Sequence, residues 1–159
     1  IGLERALAKI DGHLIRVGVG DRYVVERMRQ RDLGLGGEQS GHIIVHSHST
    51  TGDGLVTALS VLGVMQESGA SLSELASFMT RYPQAIKNIF VKHKPPLDTL
   101  DDTQREIDAV EAELGDEGRV LVRYSGTQML ARVMVEGPTE LVVESAAARI
   151  ADILEKELG

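Results

Sequence analysis

Anion chemistry concentrates in one stretch, Arg123-Tyr124-Ser125-Gly126-Thr127-Gln128-Met129-Leu130-Ala131-Arg132. Val120-Leu121-Val122 and Val133-Met134-Val135 bracket it, and both runs predict β-strands with Ser125-Gly126-Thr127 as a tight turn between them. Gly126 opens turn conformations closed to other residues. Ser125 and Thr127 offer hydroxyl donors, and successive backbone N–H groups in such a turn can form an anion-binding nest. Arg123 and Arg132 flank it, and a guanidinium matches phosphate or carboxylate oxygens with two parallel hydrogen bonds. Two readings stand at this point: an oxyanion site, above all for phosphate, or a polar hairpin tip carrying two surface arginines.

A second candidate lies in Gly37-Glu38-Gln39-Ser40-Gly41. A carboxylate that accepts two hydrogen bonds and a hydroxyl that donates one suit vicinal sugar hydroxyls. The same residues also suit an ordinary solvated turn. His42, His46 and His48 raise the question of a metal. On a strand all three share one face, but His42 and His46 would stand about 13 Å apart at about 3.3 Å per residue. A zinc site needs three or four protein ligands, so the expectation is no metal site here. Asp53 reads as a helix cap, the Asp101-Asp102 and Glu111/Glu113 run as a solvated helix face, and Ser125 lacks the His partner of a nucleophile.

The elements that must position these groups follow from periodicity. Leu3, Ala6, Leu7 and Ile10 have helical spacing, and His13 to Val19 reads as a short strand. Asp21 is placed to cap a helix to about Gln30, with Tyr23, Val24 and Met28 on one face. Leu33 to Gly37 reads as a Gly-rich loop and Ile43-Ile44-Val45 as a strand, an alternation that predicts part of an α/β layer. Leu55 to Ser68 reads as a helix with a buried stripe at 55, 58, 59, 62 and 65, ended by Gly69. Ser71-Leu72-Ser73-Glu74 has the capping-box pattern for a helix to about Arg81. Beyond Tyr82-Pro83 come a strand over 86–92, the stiff His93-Lys94-Pro95-Pro96, and an acidic helix over 98–114. The two strands of the opening stretch follow, then a helix from Pro138 to about Leu158 with Val142, Ala146, Ile150 and Ile153 inward. The expected architecture is therefore mixed. Residues 1–83 read as part of an α/β domain, and residues 84–159 as a small α+β domain, β-α-β-β-α, with an antiparallel sheet and helices on one face.

Composition bounds the partners. The 159 residues are 42% hydrophobic but only 3% aromatic, so the core must be aliphatic. A net charge of −7 argues against nucleic acid and makes any anion site a local cluster of arginines. There is no cysteine, which removes disulfides and thiol chemistry and fits a reducing, cytoplasmic location. No apolar run approaches a membrane span. The chain opens at Ile1 in what reads as mid-helix, so a fragment of a longer protein is expected.

Taken together, Gly-Glu-Gln-Ser-Gly-His at 37–42, Thr-Thr-Gly-Asp-Gly at 50–54, Arg-Tyr-Ser-Gly-Thr at 123–127 and Arg132-Val133-Met134-Val135-Glu136-Gly137 closely resemble the α-D-phosphohexomutase family. The run from Val19 to Val24 and the Thr-Gly-Asp-Gly turn resemble its amino-sugar branch more than its phosphomannose/phosphoglucose branch. The resemblance covers the whole chain. It implies four domains around a central cleft, of which residues 1–83 would be the later part of the third, sugar-binding domain and 84–159 the fourth, phosphate-binding domain. By the same resemblance, Glu38 and Ser40 would contact sugar hydroxyls, and Arg123, Ser125, Gly126, Thr127 and Arg132 would hold the phosphate that is not transferred. His42 would be a candidate for acid–base assistance or ligand contact.

The implied reaction interconverts glucosamine 6-phosphate and glucosamine 1-phosphate through a phosphoserine and a sugar bisphosphate, with Mg²⁺ held by residues outside this chain. On its own the chain is expected to be inactive. Gln128-Met129 departs from the Glu-Pro usual in the family. It removes a carboxylate beside the phosphate and loosens the turn without touching the donors. The alternatives are a sibling mutase for phosphoglucose or phosphomannose, and a sugar-phosphate-binding module without catalysis.

Overall fold

The computed structural model describes residues 1–159. The chain divides into two compact units, Ala6–Met79 and a second made of Ile1–Arg5 with Thr80–Gly159.

The second unit is organised on a three-stranded antiparallel sheet in the order β3-β5-β4, from β3 (Gln84–Phe90), β4 (Arg119–Tyr124) and β5 (Leu130–Glu136). Strand β5 is central, and Ala131, Val133 and Val135 point to one face, each fully buried. Helices α5 (Asp101–Leu114) and α6 (Glu140–Leu158) cover that face. Val110, Ala147, Ile150 and Leu154 meet the strands with no exposed surface. Each such aliphatic side chain contributes roughly 1.5–3 kcal/mol by leaving water. This is the expected β-α-β-β-α unit with its helices on one side. Arg149 of α6 pairs with Glu106 at 2.6 Å and Glu113 at 2.7 Å on α5, a surface staple between the two helices.

Two local details of α6 differ from expectation. Thr139 caps it, its hydroxyl accepting the Val142 N–H at 3.3 Å, so Pro138 precedes the cap instead of opening the first turn. The inward residues are Val143, Ala146, Ala147, Ile150, Leu154 and Leu158, while Val142 is exposed. Both sets have helical spacing. Packing of α6 against β3 and β5 selects the observed set.

The first unit has a smaller core. Strands β1 (Leu35–Gly37) and β2 (Ile43–Val45) form an antiparallel hairpin with Gly36 opposite Ile44. Helix α2 (Asp21–Arg31) packs Val24 and Met28 against Ile44. Tyr23 is exposed and does not share the buried face, and Gly20 rather than Asp21 occupies the cap position, with no side-chain cap bond. His13 to Val19 is not a strand, since no strand of this chain pairs with it. An extended apolar run becomes a strand only with a hydrogen-bonding neighbour. The Gly-rich run at 33–37 does find one, and forms β1.

Helix α1 (Gly2–Ala8) opens the chain. Helix α3 (Gly54–Ser68) carries the expected caps: the Asp53 carboxylate accepts the Leu55 and Val56 N–H groups at 2.9 and 3.0 Å, and Gly69 closes the far end in the left-handed region. Its expected buried stripe is not buried. Leu55, Leu59 and Leu62 are all exposed, because nothing in these 159 residues covers that face. Helix α4 (Leu72–Ala76) has the full Ser71–Glu74 capping box but ends five residues before Arg81. No helix is long and apolar enough to cross a membrane.

Candidate functional site

In the first unit, the turn between β1 and β2 brings Glu38, Ser40 and His42 together. The Glu38 N–H bonds the His42 carbonyl at 2.8 Å and the Gly41 N–H bonds the Glu38 carbonyl at 3.0 Å, closing a tight loop. Gly41 sits at φ 98°, a conformation that glycine adopts without strain. The Glu38 carboxylate accepts the Gly20 N–H at 3.0 Å through Oε1. Its Oε2 stands 3.6 Å from His42 Nδ1, which also lies 3.3 Å from Ser40 Oγ. His42 Nδ1 is thus turned inward and Nε2 has no protein partner. The remaining lone pairs of Glu38 and the Ser40 hydroxyl form one polar rim that can exchange hydrogen bonds with a polyol. Half-buried Glu38 is held; exposed Ser40 and His42 are free to meet a ligand.

In the second unit, Arg123 and Arg132 are direct cross-strand partners in the β4–β5 register. Their side chains lie on the face opposite the helices, since Tyr124, Ala131 and Val133 take the core face. Like charges directly opposite on a ladder repel. Neither arginine has a carboxylate partner here. Arg132 Nε donates to Asn88 Oδ1 at 2.9 Å, and Asn88 is its register partner on β3. The Arg123 guanidinium makes no hydrogen bond or ion pair within the protein. Two uncompensated guanidinium groups side by side form a local well for an anion in a chain that is otherwise acidic.

The turn joins them. Ser125 N–H bonds the Leu130 carbonyl at 2.8 Å, continuing the ladder. Ser125 Oγ accepts from the Thr127 and Gln128 N–H groups at 3.4 and 3.2 Å. Those two backbone donors therefore point inward, and the expected nest of successive N–H groups is not fully open. Within Ser125–Thr127, the donors left without a protein partner are the Ser125 hydroxyl proton, the Gly126 N–H and the Thr127 hydroxyl. Gly126 does not use a glycine-only conformation, contrary to the sequence-based expectation, because it is absent from the residues at positive φ. A Cβ on it would meet no protein atom within 4 Å. What glycine leaves there is open space against the backbone, which suits close approach by an oxyanion.

Two further residues belong to this site and were not singled out from sequence. Asn88 orients Arg132, and only the strand register places it there. Lys94, in the strap after β3, donates from Nζ to the Ser125 carbonyl at 2.6 Å. Neither lies in a motif. Of the expected site residues, the structure brings Glu38, Ser40 and His42 together in one unit and Arg123, Ser125, Gly126, Thr127 and Arg132 together in the other. His46 and His48 fall beyond the end of β2. No group of three or more His, Asp or Glu side chains sits together as metal ligands. Tyr124 turns away from the site. Its buried hydroxyl has no partner, and burial together with the nearby Glu157 charge raises its pKa.

Residues 1–82 match the family described as phosphoglucomutase/phosphomannomutase, alpha/beta/alpha domain III, and residues 85–153 match its C-terminal domain. The phosphoglucosamine mutase of Anaeromyxobacter sp. is 52% identical over 159 residues, all of this chain and 34% of that protein. That of Protochlamydia amoebophila is 51% identical over 159 residues, again all of this chain and 35% of the relative. The chain thus spans about a third of the length of the curated relatives it matches. Among solved structures, Aspergillus fumigatus N-acetylphosphoglucosamine mutase superposes with a TM-score of 0.80 at 17% identity, over 96% of this chain and 36% of that one. The same enzyme in complex with GlcNAc-6P and magnesium gives 0.56 at 21% identity, over 67% of this chain and 22% of that one. The chain belongs to the phosphoglucomutase/phosphomannomutase family and carries the residues of its third and C-terminal domains.

Proposed function

We propose that this chain supplies the substrate-gripping part of a hexosamine-phosphate mutase, with residues 1–83 serving the sugar and 84–159 the phosphate. The observation that carries the reading is the cross-strand pair Arg123–Arg132, free of carboxylates and set beside the outward donors of the Ser125–Thr127 turn. Arginine offers a fork of N–H donors matched to phosphate oxygens. The turn adds two hydroxyls and one backbone N–H. Glu38 and Ser40 exchange hydrogen bonds with hydroxyls of the sugar, and the outward Nε2 of His42 is placed to accept or return a proton.

The proposed reaction interconverts glucosamine 6-phosphate and glucosamine 1-phosphate through a phosphoserine and a bisphosphorylated sugar. The bisphosphate must be gripped by either end, so the grip has to rest on charge and turn donors rather than on the sugar ring. The arginine turn has that character. It holds the phosphate that is not being transferred, and such positioning is a main lever in phosphoryl transfer. The choice of amino sugar is supported by phosphoglucosamine mutases about half identical to this chain. Magnesium belongs to the reading, but the carboxylates of this chain do not fit a site for it, and no step here runs through it.

Titration of the chain with inorganic phosphate, followed by amide NMR, tests the grip. Shifts are expected at Ser125, Gly126 and Thr127, and Arg132→Met should weaken binding about tenfold or more, the loss of a charge-assisted hydrogen-bond pair. No response at those three amides would sink the reading. A substrate panel on the longer enzyme separates the sugars, and turnover of mannose phosphates without glucosamine phosphate would overturn the choice.

A further inference from the structure

We infer that Lys94 is a positioning residue that sets the direction of the Gly126 N–H, a backbone donor of the anion-binding turn with no protein partner; the inference rests on the phosphate reading of that turn. Lys94 Nζ donates to the Ser125 carbonyl oxygen at 2.6 Å. Every peptide bond in the chain is trans. In a planar trans peptide the carbonyl of one residue and the N–H of the next point in opposite directions. Capturing the Ser125 carbonyl on the Lys94 side therefore turns the Gly126 N–H to the other side. That N–H makes no hydrogen bond within the protein, and the space against Gly126 is open.

The other groups in the turn cannot do this job. The Ser125 hydroxyl holds the Thr127 and Gln128 N–H groups, and the Ser125 N–H is held by Leu130. The Ser125–Gly126 peptide plane is the part these bonds leave free to rotate, and Gly126 has no side chain to resist. Lys94 supplies the missing constraint from a rigid base. Val91 N–H bonds the Met129 carbonyl at 3.2 Å and Lys92 N–H bonds the Leu158 carbonyl at 2.8 Å, tying the strap to the sheet and to the end of α6. Pro95 and Pro96 stiffen it beyond. Lys94 is itself half-buried, so its ammonium is held rather than waving in solvent. The ammonium also adds a third positive charge near Arg123 and Arg132, and the test must separate that charge from the bond.

The test uses two substitutions and two measurements. Lys94→Met removes both donor and charge; Lys94→Gln removes the charge and keeps a donor. Residual dipolar couplings report the Gly126 N–H direction without any ligand. Phosphate titration reports binding, with the Gly126 amide and the Arg123 and Arg132 Nε–H signals followed separately. Positioning predicts a changed Gly126 coupling in Lys94→Met, a phosphate affinity lower by about 3- to 10-fold, and loss of the Gly126 response while both arginine signals still respond. Lys94→Gln should restore the coupling and much of the Gly126 response. Unchanged Gly126 couplings in Lys94→Met would overturn the inference. So would a uniform loss at Gly126 and both arginines in Lys94→Gln and Lys94→Met alike, since that is the signature of charge alone. If the wild-type turn ignores phosphate, the site reading fails, and the couplings still decide whether Lys94 sets the peptide plane.

Discussion

The two units spend similar apolar sequence to different effect. In Thr80–Gly159, three strands and two helices enclose a continuous core of fully buried aliphatic residues. In Ala6–Met79, only Val24, Met28 and Ile44 form a buried cluster, and the most apolar helix, α3, buries none of its side chains. Hydrophobic stabilisation scales with area removed from water, not with the number of apolar residues. The comparison teaches that an amphipathic pattern states a need for a partner surface without supplying one. It also places the two candidate sites on unequal footings. The Ser125–Thr127 turn grows out of the β4–β5 hairpin of a full core, whereas the Glu38 turn rests on a two-stranded hairpin and one helix.

The largest effect should come from the full core. Ile150→Ala should destabilise the unit holding Val133 and Ala147 by about 2–5 kcal/mol, the range for an aliphatic cavity. Urea unfolding followed at the amides of those residues measures it, and a loss below about 1 kcal/mol would break the comparison.

A smaller effect should come from acid. Burial alone would raise the Glu136 pKa, but the hydrogen bond and charge of the Arg119 guanidinium act against it, and the carboxyl is held below the ordinary 4.5. Arg119 Nε lies 2.8 Å from Glu136 Oε2. A carboxyl whose folded pKa is lowered contributes stability above its unfolded pKa and loses it as pH falls through the folded value. The second unit should therefore melt earlier as pH drops below about 4.5, an ordinary carboxyl value. Arg119→Met should cost up to about 1 kcal/mol at neutral pH, discounted for the part-open arginine, and should flatten that acid loss. A variant with the same pH slope as the wild type would remove Glu136 from the account.

The smallest effect should come from α3. Leu59→Glu should change stability of this chain by less than about 0.5 kcal/mol, as for a surface substitution, despite placing a charge on an apolar stripe. Thermal melts measure it. A loss of several kcal/mol would show that the stripe is covered in solution and would erase the contrast drawn above.

How much of this was legible in the sequence depends on the range of the interaction. Caps set by neighbours within four residues were readable: Asp53, Gly69 and the Ser71–Glu74 box all stand where expected. The β-α-β-β-α order was readable from period and turn residues. Burial on α6 was missed by one position, because Val142 and Val143 both satisfy the helical spacing and only packing on β3 and β5 selects between them. The strand at His13 to Val19 and the buried stripe on α3 were patterns without partners. Gly126 was read as a conformational necessity and is not one: its φ is not positive, and a Cβ there would meet no protein atom.

The sequence alone picked out the residues proposed to carry the chemistry. Arg123, Ser125, Thr127 and Arg132 in one stretch and Glu38, Ser40 and His42 in another are local patterns, and local spacing is enough to find them. The tertiary structure decided how they are armed. The β4–β5 register set Arg123 opposite Arg132, β3 brought Asn88 to orient one guanidinium, and the strap delivered Lys94 to the Ser125 carbonyl. Those three contacts join residues 9, 44 and 31 positions apart. No sequence period reports such separations, because chain folding and not helix or strand geometry brings them together.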